Sequence, residues 1–119
     1  DTPKESTPRI AVKDILETKM SPQAKGVIRQ ALDKICAESC AAMFLEPVDV
    51  EAVPDYRNVV KKPCDFSTVR ARLDKGRYQT PALFLKDVQL IFENAMLYNE
   101  SGDPAYVEAE KLQAFVSKL

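Results

Sequence analysis

Residues 80–104 read Thr80-Pro81-Ala82-Leu83-Phe84-Leu85-Lys86-Asp87-Val88-Gln89-Leu90-Ile91-Phe92-Glu93-Asn94-Ala95-Met96-Leu97-Tyr98-Asn99-Glu100-Ser101-Gly102-Asp103-Pro104. Threonine followed by proline is helix-start punctuation. A side-chain oxygen takes up an orphan N–H, and proline at the first helical position has none to leave unpaired. Phe84, Val88, Ile91, Ala95 and Tyr98 then recur in steps of four and three, which lays one apolar stripe along a helix over 80–98. The stripe ends at Asn99, in a short polar loop, and Asp103-Pro104 repeats the start signal. An asparagine amide at the mouth of a helical bundle can hold one neutral polar ligand group. On local sequence alone it could equally terminate the helix, because asparagine tolerates the left-handed conformation.

Working outward, Ser21-Pro22 opens a helix carrying Val27, Ile28, Ala31, Leu32, Ile35, Cys36, Ala42 and Met43, which predicts a helix over 21–43. Asp103-Pro104 opens another over 104–119, with Ala105, Ala109, Leu112, Val116 and Leu119. A shorter helix fits 65–75: Asp65 caps it, Phe66, Val69 and Leu73 form its stripe, and Gly76 stops it. No strand-like alternation competes. The expected fold is all-α, an antiparallel four-helix bundle. Residues 1–20 form an N-terminal extension, flexible or partly helical, and 21–119 the domain. The stretch 44–64 is too long for a routine connection, yet it contains Val48, Val50, Val53, Tyr56, Val59 and Val60. Such a loop packs on the bundle and can wall a pocket whose other side is Asn99.

Composition narrows the chemistry. A chain of 119 residues fits one core, and 17 basic against 18 acidic side chains give a net charge of −1. No global field favours nucleic acid. No apolar run is long enough to cross a bilayer, and residues 1–7 do not read as a signal peptide. The three cysteines, Cys36, Cys40 and Cys64, lack the spacing of a disulfide framework and point inside the cell. Cys36 and Cys40 are four apart, but no histidine exists to complete a metal site. They read as small core residues. The absence of histidine, of an activated nucleophile arrangement and of a glycine-rich phosphate loop argues against an enzyme. No cofactor is expected.

Six segments in order then carry a resemblance: Phe44-Leu45-Glu46-Pro47-Val48-Asp49, Pro54-Asp55-Tyr56, Lys62 to Val69, Gly76-Arg77-Tyr78, Phe84 to Val88 and Asn94 to Asn99. Together they resemble a bromodomain, over about 21–119. The resemblance implies a left-handed four-helix bundle that binds acetylated lysine. Residues 21–43 are similar to helix Z, 44–64 to the ZA loop, 65–75 to helix A, 80–98 to helix B, 99–103 to the short BC loop and 104–119 to helix C. By the same resemblance Asn99 would donate to the acetyl carbonyl and Tyr56 would hold a water on that oxygen. Phe44, Val48, Val53, Ala95 and Tyr98 would line the pocket. Ala105 stands at the gatekeeper place, with Tyr106 beside it as the alternative.

The chain also departs from the family pattern. The Trp-Pro-Phe shelf reads Ala42-Met43-Phe44, Cys64 stands where methionine is preferred, and Glu100 where proline is common. The implied function is a non-enzymatic, monomeric, nuclear module reading acetylated histone tails or other acetylated proteins, within a larger chromatin-associated protein, with no direct contact to nucleic acid or membrane. The altered shelf motivates an alternative: a protein–protein scaffold with weak or lost acetyl-lysine binding. Asn94 is expected to tie loop backbone to the helix. Acidic side chains on both loops, among them Glu46, Asp49, Glu51, Asp55 and Glu100, would favour a basic peptide.

Overall fold

The computed structural model describes residues 12–119, so the first eleven residues of the expected extension lie outside it. Within these bounds there are helices α1 (Pro22–Cys36), α2 (Tyr56–Val59), α3 (Phe66–Asp74), α4 (Pro81–Tyr98) and α5 (Pro104–Val116), and no strand. α1, α3, α4 and α5 are the four helices of the bundle. Their stripes meet in one core in which Ile28, Leu32, Ile35, Phe66, Leu73, Phe84, Phe92 and Leu112 are fully buried. Each such side chain contributes about 1.5–3 kcal/mol relative to exposure.

The start signals divide into two kinds. Ser21 Oγ accepts from the Ala24 N–H at 3.1 Å, and Asp65 accepts from the Thr68 N–H at 3.1 Å. Asp65 is buried, and the hydroxyls of Ser67 and Thr68 also donate to its carboxylate. Thr80 and Asp103 make no such bond to their helices. Asp103 instead accepts from the Glu100 N–H at 2.9 Å and so closes the loop before α5. Gly76 ends α3 with φ +71, a conformation that costs glycine nothing.

The helix expected over 21–43 is not continuous. α1 stops at Cys36, Glu38 is extended, and Ser39–Phe44 form a 3₁₀ helix. No glycine or proline marks the break, so periodicity carries across it. Three residues per turn align 39 with 42 and 41 with 44. Ala41 is thereby buried against the bundle, whereas Ser39 and Ala42 are exposed. Of the described part of the extension, Val12–Ile15 is a 3₁₀ turn. Val12 enters the core, Met20 N–H donates to Gln79 C=O at 2.8 Å, and Ala82 N–H donates to Leu16 C=O at 2.9 Å. These contacts fasten the segment across the start of α4.

Ion pairs join neighbouring helices: Arg29 to Asp74 at 2.6 Å and Arg70 to Asp33 at 2.9 Å between α1 and α3, and Arg72 to Asp87 at 2.7 Å between α3 and α4. The first two pairs are exposed and the third partly so, with the Asp87 side chain 21% exposed, and exposed pairs of this kind add at most about 1 kcal/mol. Asp87 also accepts from the Tyr78 hydroxyl at 2.7 Å.

Candidate functional site

The segment 44–64 is a folded loop containing a helix of its own. Asp49 Oδ1 accepts from the N–H groups of Glu51 and Ala52, turning the chain after Val48. α2 follows and buries Tyr56. At the loop's end, buried Asn94 on α4 donates through Nδ2 to the Lys62 carbonyl at 2.8 Å. One side-chain amide thus fixes the far end of the loop to the bundle, as the sequence led us to expect.

Between this loop and the C-terminal end of α4 lies a cavity of about 260 Å³. Val48 and Val53 line it from the long loop, with Tyr56 from α2, Ala95 and Tyr98 from α4 and Asn99 from just past the end of α4. Ala105 lines it from α5, and Met43 and Phe44 from the 3₁₀ helix. Ala42 and Tyr106 do not line it. Ala42 is turned outward by the 3₁₀ geometry described above, so of the two expected shelf residues only Met43 reaches the cavity. Of the two residues weighed for the gatekeeper place, Ala105 lines the cavity and Tyr106 does not.

Four lining residues had no pocket role in the sequence reading: Glu46, Cys64, Asp65 and Ile91. Ile91 could have been found, since it stands four before Ala95 on the same stripe. Cys64, where the family prefers methionine, is half-buried and lines the cavity. Burial, with Asp87 nearby, pushes its thiol up to about 11. It is therefore a neutral wall around neutral pH.

The polar groups at the cavity are few. Asn99 is half-exposed, with its backbone extended at φ −105 and ψ 156. Asparagine's tolerance of the left-handed region is thus not what places it there. Its Nδ2 donates to the Ala95 carbonyl at 2.9 Å, which orients the side chain and leaves a second N–H on the same nitrogen. Tyr56 is buried and its hydroxyl bonds to no described residue; burial raises its pKa, so it remains a protonated phenol near neutrality. Tyr98 packs edge-on against Tyr56, ring centres 5.0 Å apart, and donates its hydroxyl to Asp55 at 2.7 Å. That bond raises the Tyr98 pKa and ties loop to helix across the rim. The result is an apolar slot with an amide donor and a phenol at its wall, suited to a neutral amide that ends in a small apolar group.

Comparison with known proteins agrees with this geometry. The family model described as Bromodomain matches residues 28–111. Transcription factor GTE2 of Arabidopsis thaliana is 38% identical over 113 residues, covering 93% of this chain and 19% of that protein. Transcription factor GTE3, chloroplastic, from the same plant, is 43% identical over 83 residues, covering 68% of this chain and 18% of that one. Human ATPase family AAA domain-containing protein 2B is 42% identical over 77 residues, covering 65% of this chain and 5% of that protein. The chain therefore spans less than a fifth of the length of each of these relatives. Since the family match runs from α1 into α5 and includes every residue that lines the cavity, the chain belongs to the bromodomain family, whose modules read acetylated lysine.

Proposed function

We infer that the cavity binds acetyl-lysine on a protein tail, with the second Asn99 N–H donating to the acetyl carbonyl. The observation that supports this most is the meeting of an oriented amide and a phenol free of described partners in one apolar slot. Acetylation removes the lysine charge. The methyl group and stem then gain about 25 cal/mol for each Å² of apolar surface they bury. The carbonyl, once buried, needs a donor or costs about 1–3 kcal/mol. Asn99 supplies that donor directly, and Tyr56 supplies a hydroxyl for a bridging water. Unmodified lysine would bring an ammonium into an apolar slot, which is costly.

Histone tails are the favoured ligands because the rim is acidic. Asp49, Asp55 and Asp103 accept hydrogen bonds within the rim, while Glu46, Glu51 and Glu100 are exposed and form no ion pair with a described residue. They would attract lysine and arginine flanking the acetylated residue, with salt sensitivity as the signature. The module acts as a monomer within a nuclear protein and binds without chemical turnover. A fluorescent fusion of the parent protein that accumulates in a plastid would overturn the nuclear assignment.

The deciding experiment is a calorimetric or NMR titration with acetylated and unmodified histone-tail peptides, comparing the native chain with Asn99→Ala. Acetyl-dependent binding that vanishes in the variant supports the reader. Its absence in a folded native chain favours the scaffold reading, which the outward position of Ala42 motivates. Acetate released from the peptide would overturn the assignment as a non-enzyme.

A further inference from the structure

α4 carries a second apolar line on the side away from the core. Leu83, Leu90 and Leu97 follow at intervals of seven, a spacing that drifts by only about 20° per step around a helix. Leu83 is 42% exposed and Leu97 62%, with Leu90 half-buried between them. The three span about 21 Å at 1.5 Å per residue, the length of four helical turns. None is needed by the core stripe of Phe84, Val88, Ile91 and Ala95.

Beside Leu83 and Leu90 runs a groove of about 560 Å³, bounded by α4, Lys62 at the end of the long loop, Arg72 of α3 and the Arg77-Tyr78 turn. Its charges are unevenly matched. Arg72 is taken up by Asp87, which also holds the Tyr78 hydroxyl. Lys62, Arg77 and Lys86 form no ion pair with any described residue, and Glu93 is the remaining carboxylate of the lining. Three unmatched cations therefore stand around Leu83 and Leu90, against one carboxylate.

We propose that this face docks an acidic amphipathic helix of a partner protein. Its apolar residues lie along Leu83, Leu90 and Leu97, and its carboxylates face Lys62, Arg77 and Lys86. The heptad interval matches the repeat of a helix packed nearly parallel to α4. A second copy packed symmetrically would bring the same three cations to the face. A nucleic acid would engage the cations but leave the leucines uncovered. The acidic rim of the acetyl-lysine pocket and this basic groove select partners of opposite charge, so the two sites can be occupied by different molecules.

The test uses the whole isotope-labelled chain and a synthetic three-heptad peptide with leucine at a and d and glutamate at e and g. Repulsion among its glutamates keeps the peptide from pairing with itself at neutral pH. The expected result is saturable amide shifts at Lys62, Arg77, Leu83, Lys86 and Leu90. Affinity should fall about tenfold or more in Arg77→Glu/Lys86→Glu and in Leu83→Ser. These exposed substitutions should leave the circular dichroism and the binding of acetylated peptide unchanged, and Asn99→Ala should leave acidic-peptide binding unchanged. Any of four results overturns the proposal: no saturable shifts, equal binding of a peptide with lysine in place of glutamate, duplex DNA binding this face more tightly than the peptide, or a dimer of the chain closing through it.

Discussion

Asn94 within α4 and Asn99 just past its end stand five residues apart and mark the difference between the closed body of the bundle and its open end. Asn94 is buried, and its amide reaches a backbone carbonyl 32 residues away in sequence. Asn99 is half-exposed, and its amide bonds only one turn back, to Ala95. The first bond determines where a long loop lies. The second merely aims a donor into a cavity. The same functional group is structural where it joins distant parts of the chain and available for binding where its protein partner is local.

The contrast breaks most visibly in the closed body. Phe92→Ala removes a fully buried ring from the core and should cost about 3–5 kcal/mol. A calorimetric scan should show the midpoint falling by more than about 10 °C. Asn94→Ala should cost less, about 1–2 kcal/mol, because one neutral hydrogen bond is lost and the Lys62 carbonyl can rehydrate in part. It should also loosen the loop, read as faster amide exchange over residues 56–62. Equal protection in native and variant chains would show that the loop is held by its apolar packing alone.

At the open end the ranking of readouts reverses. Asn99→Ala should change stability by less than about 1 kcal/mol, since only a local hydrogen bond is lost. Acetylated-peptide affinity should nevertheless fall about tenfold or more, as expected for a buried carbonyl deprived of its donor. A variant that unfolds as readily as Asn94→Ala would erase the distinction between the two asparagines.

The sequence disclosed this division only in part. The stripes of α1, α3, α4 and α5 are regular, and their starts carry serine, threonine, aspartate or proline, so four helices were legible with small errors at their ends. The break after Cys36 was not, because Ala37 and Glu38 are ordinary helix residues and the chain turns to bury Cys40 and Ala41 rather than to obey a local signal. Ala42 consequently left the site. Asn99, Tyr56, Val48 and Val53 were recognisable from linked segments and do line one cavity. Cys64 had no pocket role there, and Asp55 stood only as an acidic loop residue, because its pairing with Tyr98 exists only once the chain is folded. Cys64 lines the cavity, and Asp55 reaches Tyr98 across 43 residues.

The open end should also respond to alkali. Cys64 has its pKa raised from 9.0 to about 11, chiefly by burial. A raised folded-state pKa means that the folded chain holds this proton more tightly than the unfolded chain. The corresponding stabilisation is complete below 9.0 and is lost as pH rises through about 11. Burial shifts Tyr56 in the same direction. Acetyl-peptide affinity should therefore show no titration of either wall around neutral pH and should weaken only on the alkaline side. Cys64→Ala should flatten the alkaline fall in stability, measured by denaturant titration across that range. An unchanged fall would assign it to other groups.

The smallest effect is expected at the rim. Tyr98→Phe keeps the edge-on ring contact with Tyr56 but removes the hydroxyl that donates to Asp55. Both groups are exposed, so thermal stability should not change measurably. The tie instead limits where the loop carrying Val53 and Tyr56 can move relative to α4. Its removal should broaden the loop's amide signals and weaken acetyl-peptide binding by less than Asn99→Ala does, mainly through faster dissociation. Asp55→Asn should fall between the native chain and Tyr98→Phe, because a neutral amide oxygen still accepts the phenol's proton, though less strongly than a carboxylate. If both variants bind with native kinetics, the cavity is shaped by the Asn94 anchor and the buried Tyr56 ring, and the open end owes its order to the closed body beneath it.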